Sequence, residues 1–358
     1  MATTRTTSTS GAPRRRLQFG FAILSVISGL LTGAPGMSAI GGSSTFVVRS
    51  SESSYGWPVK PFHREHPVRG YFGDPRTMFH GPPTRATVMH GGGSFSFHQG
   101  IDISAPNGTE VYPVRSGSVT AVSKEWVRVA SDNGQTFEYW HIEPRVHVGD
   151  SVEAEQTVLG RIMRPAEHVH LTEYAGGRVV NPLMPGHIKP YTDATSPTVA
   201  GVSIRRPGST AEVFPSFVRG RVEIDADAYD TPTMPVPGIW NGLPTTPALL
   251  TWRVDRWHGK TAIPETVTYD HRASEPGNAA FWATYTRGTY QNMAVFGPHY
   301  SYLQAGTYLF KLTPRPFDTQ RLHDGVYELV VTATDARGNS SSLRQRITIH
   351  NRAGWIGS

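Results

Sequence analysis

The apolar residues of this chain come in runs of strand length, and no stretch sustains a long helical period. Gly and Pro cut the runs. The 358 residues include 37 Gly and 28 Pro, which favour turns and interrupt helices. Runs at Gly117–Val122, Trp126–Ser131, Thr136–His141, Thr157–Met163 and His168–Tyr174, with turns such as Asp132-Asn133-Gly134 between several of them, predict an antiparallel sheet. Beyond a turn-rich boundary at Asp193–Pro197, further runs cover Val199–Ile204, Val218–Ala226, Leu249–Trp257, Tyr308–Leu312, Val326–Thr334 and Leu343–His350. The expected fold class is all-β, with one domain over 56–192 and a second over 196–350.

Composition removes several kinds of chemistry. With no Cys there is no disulfide framework, thiolate metal site or thiol nucleophile, so a transition metal would have to be held by His and carboxylates. The net charge of +6 is not a nucleic-acid footprint. Four Arg fall in residues 1–39 with no acid, while 40–195 hold 14 basic and 15 acidic side chains and 196–358 hold 16 and 13. Neither part concentrates positive charge as phosphate neutralisation requires. Residues 1–39 read as an export signal, in which Arg14–Arg16 precede a 15-residue apolar run from Leu17 to Leu31 and small residues follow. That run is shorter than the roughly 18–20 residues needed to span a bilayer. Secretion follows as the expectation, extracellular or associated with the cell wall and without stable membrane insertion once the signal is removed; the alternative is an uncleaved N-terminal anchor. Residues 40–55, rich in Ser and Gly, read as a linker, and the Pro-punctuated Trp57–Phe97 as irregular chain.

Four of the 15 His stand apart from the rest. His98 and Asp102 are four residues apart, with Gly100 between them to let the backbone bend. His168 and His170 lie two apart in an apolar strand, which places both imidazoles on one face and Val169 on the other. Two such rings side by side need a partner if buried. His141 closes the strand that ends Tyr139-Trp140-His141. Imidazoles and a carboxylate form an N/O donor set suited to Zn²⁺, with a fourth position left for water.

From His98 to Pro182 the chain resembles the catalytic domain of the M23 zinc metallopeptidases, the lysostaphin and LytM type, which cut peptide cross-links of bacterial cell walls. The resemblance rests on ordered segments: HQGID at 98–102, SAPNGTEVYPVRSGSVTAV at 104–122, YWH at 139–141, VGDSV at 148–152 and HVHLTEY at 168–174, with Asn181-Pro182 closing the unit. It implies one Zn²⁺ per chain on His98, Asp102 and His170, with His141 and His168 as the catalytic pair. One imidazole would take a proton from the attacking water; the other would stabilise the oxyanion or protonate the leaving amine. The implied partners are peptidoglycan peptide stems or cross-links. The segment before His168, Met163–Glu167, is bulkier than the small-residue turn of the family. A catalytically silent relative that binds the wall or activates an amidase is the alternative reading.

Other candidates receive structural readings. Glu167 and Glu173 lie opposite the imidazoles of the 168–170 strand and read as solvated. Asp225, Asp227 and Asp230 read as a wet sheet face, and Asp335–Asn339 as a hairpin turn. The segment from Gly325 onward resembles the last hairpin of an immunoglobulin-like β-sandwich, which assigns the second domain the role of spacer or wall-targeting module.

Overall fold

The computed structural model describes residues 54–77, 95–292 and 306–352. The export signal, most of the linker, His80, His90, Gly91–Gly93, His299, Tyr300 and Tyr302 lie outside the described residues. Among the described residues no helix is long and apolar enough to cross a membrane.

The fold is nearly all antiparallel β, with a single α-helical turn among the described residues, α1 (Phe281–Thr284). In the first half the strands are β1 (Val68–Gly70), β2 (Pro75–Arg76), β3 (Ser96–Phe97), β4 (Ile101–Ser104), β5 (Glu110–Val111), β6 (Gly117–Ser123) and β7 (Trp126–Ser131). They continue as β8 (Thr136–Trp140), β9 (Ile142–Pro144), β10 (Ser151–Val152), β11 (Gly160–Ile162), β12 (His168–Ala175) and β13 (Arg178–Val180). The main sheet runs β1-β4-β12-β8-β7-β6-β10, with β13 added beside β12; β5-β11-β9 form a smaller sheet and β2-β3 a ribbon. The β7–β8 hairpin turns at Asp132-Asn133-Gly134, where Gly134 takes φ +86, a left-handed conformation that costs glycine little.

Strand β12 is central because its odd residues are apolar enough to enter the core. Val169 and Leu171 are fully buried and join Ile101, Ile103, Val127, Val129, Phe137 and Tyr139 in one cluster. Each such side chain contributes about 1.5–3 kcal/mol of burial free energy. The even residues, His168, His170 and Thr172, emerge on the other face. Glu173 departs from the sequence reading: it is wholly buried, not solvated. Its Oε2 accepts from Tyr55 Oη at 2.5 Å, its Oε1 from Gln135 Nε2 at 2.6 Å, and His187 Nδ1 lies at 2.9 Å. Glu173 shares the core face with Val169 and Leu171, and Tyr55 of the N-terminal strap, Gln135 and His187 give its carboxylate buried partners there.

The second half contains β14 (Thr198–Arg205), β15 (Arg221–Tyr229), β16 (Leu249–Arg256), β17 (Thr261–Asp270), β18 (Leu309–Lys311), β19 (Phe317–Asp318), β20 (Gly325–Thr334) and β21 (Ser340–Ile349). Two four-stranded sheets result, β14-β15-β18 with β19 beside β15, and β17-β16-β20-β21. Ile224, Leu250, Phe310 and Leu329 belong to their shared core. The wet-face reading of β15 is also corrected. Asp225 is buried because Arg205 pairs with it, and Asp230, just beyond the strand, is 1% exposed. The 57–97 stretch is not wholly irregular either, since it supplies β1, β2 and β3.

Residues 50–358 form one compact unit, and its two halves are in direct contact. Phe97 of β3 packs in the second core against Phe281 and Tyr285. Tyr285 Oη donates to the Gly73 carbonyl at 3.0 Å, Thr246 N to Asp74 Oδ1 at 2.8 Å, and Asn292 Nδ2 to the Arg69 carbonyl at 2.5 Å. The second half therefore braces β1, β2 and β3, the segments that lead into His98.

Candidate metal centre

Register brings the candidate ligands together. Strands β4 and β12 pair so that Asp102 is the direct cross-strand partner of His170, and on the other edge of β12 His170 pairs with Trp140. Cross-strand partners lie about 4.5–5.5 Å apart. His98 enters from the turn before β4, and His141 follows β8. The three expected ligands converge: His98 Nε2 is 2.7 Å from His170 Nδ1 and 3.1 Å from Asp102 Oδ1, and His170 Nδ1 is 3.0 Å from Asp102 Oδ1.

Protons are committed elsewhere. His98 Nδ1 lies 2.8 Å from the Tyr71 carbonyl, which only accepts, so the His98 proton sits on Nδ1 and Nε2 presents a lone pair. His170 Nε2 meets Thr172 Oγ1 at 2.8 Å, leaving Nδ1 for the centre. Asp102 Oδ2 accepts from Arg76 Nη2 at 2.7 Å. Burial, then the Arg76 charge, lowers the His98 pKa to about 3. For Asp102, burial opposes ionisation, but His98, His168 and Arg76 outweigh it and hold the carboxyl well below its ordinary range. A lone pair and a carboxylate oxygen within about 3 Å of a third donor atom form a set that a cation satisfies, and outer-shell bonds of this kind orient metal ligands. His98, Asp102 and His170 could thus hold a metal ion.

Glycines make the convergence possible through close approach. Gly100 does not take a left-handed φ; a Cβ there would lie 2.2 Å from the Leu171 carbonyl oxygen and 2.9 Å from His170 Nε2. At Gly70 a Cβ would meet Asp102 Oδ2 at 2.6 Å. Gly100→Ala is therefore expected to push β12 from β4, costing about 3 kcal/mol, the upper end of overpacking, and to weaken metal uptake. Urea denaturation and metal titration of the variant check this; an unchanged midpoint with unchanged uptake would contradict the close-approach argument.

His168 and His141 stand beside the trio without joining it. Their ring centroids are 4.5 Å apart, and His168 Nε2 is 3.5 Å from Asp102 Oδ1. His141 takes φ +65, a conformation uncommon for a side chain of this size and more frequent at functional sites. Burial, then the His168 ring, lowers its pKa to about 4, so the imidazole is neutral near pH 7. His168 Nδ1 meets opposed demands: the Ala166 carbonyl at 2.7 Å calls for a proton there, and Arg69 Nη2 at 2.6 Å calls for a lone pair. Arg69 also donates to the Ala166 carbonyl at 3.0 Å and stacks under Trp240 of the second half, 4.1 Å from the ring centroid.

All five residues singled out in the sequence line one cavity of about 510 Å³, together with Glu138, Trp140 and Thr172. Arg69, Arg76, Trp240, Gln291 and Asn292 also line it and were missed. Lone Arg residues in a Pro-rich stretch and a Trp 58 residues past Pro182 carry no local signal.

Residues 96–182 match the model of peptidase family M23, and no curated protein sequence matches the chain. Among solved structures, a zinc-containing peptidase from Vibrio cholerae is 21% identical, with TM-score 0.28, over 36% of this chain and 39% of that one. The catalytic domain of the antimicrobial peptidase lysostaphin from Staphylococcus simulans is 20% identical, with TM-score 0.23, over 31% and 90%. The SpoIIQ–SpoIIIAH pore forming complex is 22% identical, with TM-score 0.28, over 37% and 90%. The match to the peptidase M23 model spans residues 96–182 of an all-β chain whose second half adds residues to the cleft.

Proposed function

We propose that this chain is a secreted zinc metalloendopeptidase that hydrolyses peptide bonds in the stems or cross-links of bacterial peptidoglycan. The observation that carries the reading is the convergence of His98, Asp102 and His170 in a cleft that also holds His141 and His168, inside the M23 domain. Bound there, Zn²⁺ would supply Lewis acidity and lower the pKa of water toward about 7. His98, through Nε2, His170, through Nδ1, and Asp102 would hold it, with Arg76 and the Tyr71 carbonyl fixing their orientation.

The chain's own groups do the rest. His141, neutral at pH 7, can accept a proton, and His168, whose Nδ1 faces both Arg69 and the Ala166 carbonyl, can present Nε2 to the cleft as donor or acceptor. A nearby imidazole pair of this kind can take a proton from attacking water and return one to the leaving amine. The two four-stranded sheets of the second half are read as an immunoglobulin-like sandwich that contributes Trp240, Gln291 and Asn292 to the cleft wall.

The second reading, a catalytically silent wall-binding protein or amidase activator, draws on the contact of Arg69 with His168, which engages an imidazole that hydrolysis requires. Mass spectrometry of fragments released from defined muropeptides separates the two. New termini within stems or cross-links, absent with His170→Ala, support the peptidase. Bound zinc with no fragment from any wall type assigns the second reading.

A further inference from the structure

We propose that Asp193, Asp230 and Asp335 form a Ca²⁺ site at the seam between the M23 half and the two-sheet half. The three come from separate places: Asp193 from the connector, Asp230 from the residue after β15, and Asp335 from the turn between β20 and β21. One carboxylate oxygen of each lies within 4.8 Å of the other two.

An independent observation points to a ligand. Asp230 is 1% exposed; its Oδ1 accepts from Thr231 N at 2.8 Å, but its buried Oδ2 has no hydrogen-bond partner. Leaving a buried carboxylate oxygen unpaired beside two like charges is costly. The neighbours are held in place. Asp335, also buried, accepts from Arg337 N at 2.7 Å and Asn339 N at 2.9 Å through Oδ1, and from Asn339 Nδ2 at 2.7 Å through Oδ2. Asp193 accepts from Thr195 N at 2.9 Å, and Tyr191 Oη lies at 3.4 Å.

The nearby protein cation compensates the cluster only in part, and not at Asp230. The Arg337 guanidinium sits over the Tyr191 ring, 5.0 Å from its centroid; its charge acts on Asp193 and Asp335, but among the described residues it makes no ion pair within 4.0 Å with any of the three carboxylates. Glu65 adds a further negative charge in the neighbourhood. An all-oxygen, all-carboxylate set suits a hard cation, and the flexible, many-oxygen coordination of Ca²⁺ tolerates a site with one half-exposed ligand better than the strict octahedron of Mg²⁺. Occupation would tie the connector to both sheets. Burial also pushes the Asp230 carboxyl up to about 8, so the rival account is a cluster that holds a proton in place of a cation.

The test uses the full chain with its zinc restored. Isothermal titration with Ca²⁺ is expected to show one site per chain, and Ca²⁺ at about 100 times Kd to raise Tm by roughly 5 °C. Asp230→Asn and, at the more exposed position, Asp193→Asn are both expected to abolish the binding and the Tm shift while zinc content stays unchanged. The Asp193 variant keeps the test valid if Asp230→Asn does not fold. No Ca²⁺ binding by the wild type at millimolar concentration, binding that persists in either folded variant, or an equal response to Mg²⁺ would each overturn the proposal.

Discussion

Replacing His168 by alanine is expected to lower muropeptide hydrolysis by roughly 10²–10⁴-fold, the usual contribution of a positioned proton-transfer group, while zinc stays at one per chain. The reason is geometric. His168 lies near the trio, with Nε2 3.5 Å from Asp102 Oδ1, but its ring is held from behind by the Ala166 carbonyl and Arg69 and is not one of the three converging ligands. His141→Ala should behave alike, since the two rings face each other at 4.5 Å. Activity assays beside metal analysis check both. Zinc lost on removal of His168 would make it a ligand, and full activity would remove it from the chemistry.

The second large effect concerns stability. Glu173→Ala should destabilise the protein by about 3 kcal/mol, because Tyr55 Oη and Gln135 Nε2 would lose their buried acceptor and a cavity would open at a site with no solvent access. Glu173→Gln keeps the shape and one carbonyl acceptor, so its loss should be smaller. Urea denaturation of the two variants measures this at constant zinc. A midpoint unchanged in Glu173→Ala would show that the network contributes nothing to folding.

What the sequence made legible was what one element encodes alone. Alternation in β12 places His168 and His170 on one face, and the four-residue spacing of His98 and Asp102 lets one turn deliver both. What it hid depends on pairing and layering. That Asp102 faces His170 is a matter of register between β4 and β12. Alternation puts Glu173 on the face of Val169 and Leu171, which is core, but its charge alone sent it to solvent, because a lone sequence does not show that Tyr55, Gln135 and His187 supply buried partners there. Strand β17 went unread: Pro264 interrupts its run, which fits its position at the edge of the sheet. Arg69 and Arg76 lie in chain that looked irregular, and Trp240 reaches Arg69 from the other half. Gly100 was read as freedom for the backbone to bend; the structure adds that there is no room for a Cβ beside Leu171.

The zinc content of purified protein, measured by mass spectrometry for the wild type and for His170→Ala with muropeptide cleavage followed on the same samples, bears on the centre most directly. The account predicts one zinc per wild-type chain with cleavage, and neither metal nor cleavage in the variant. Stoichiometric zinc together with wild-type cleavage in His170→Ala would contradict it.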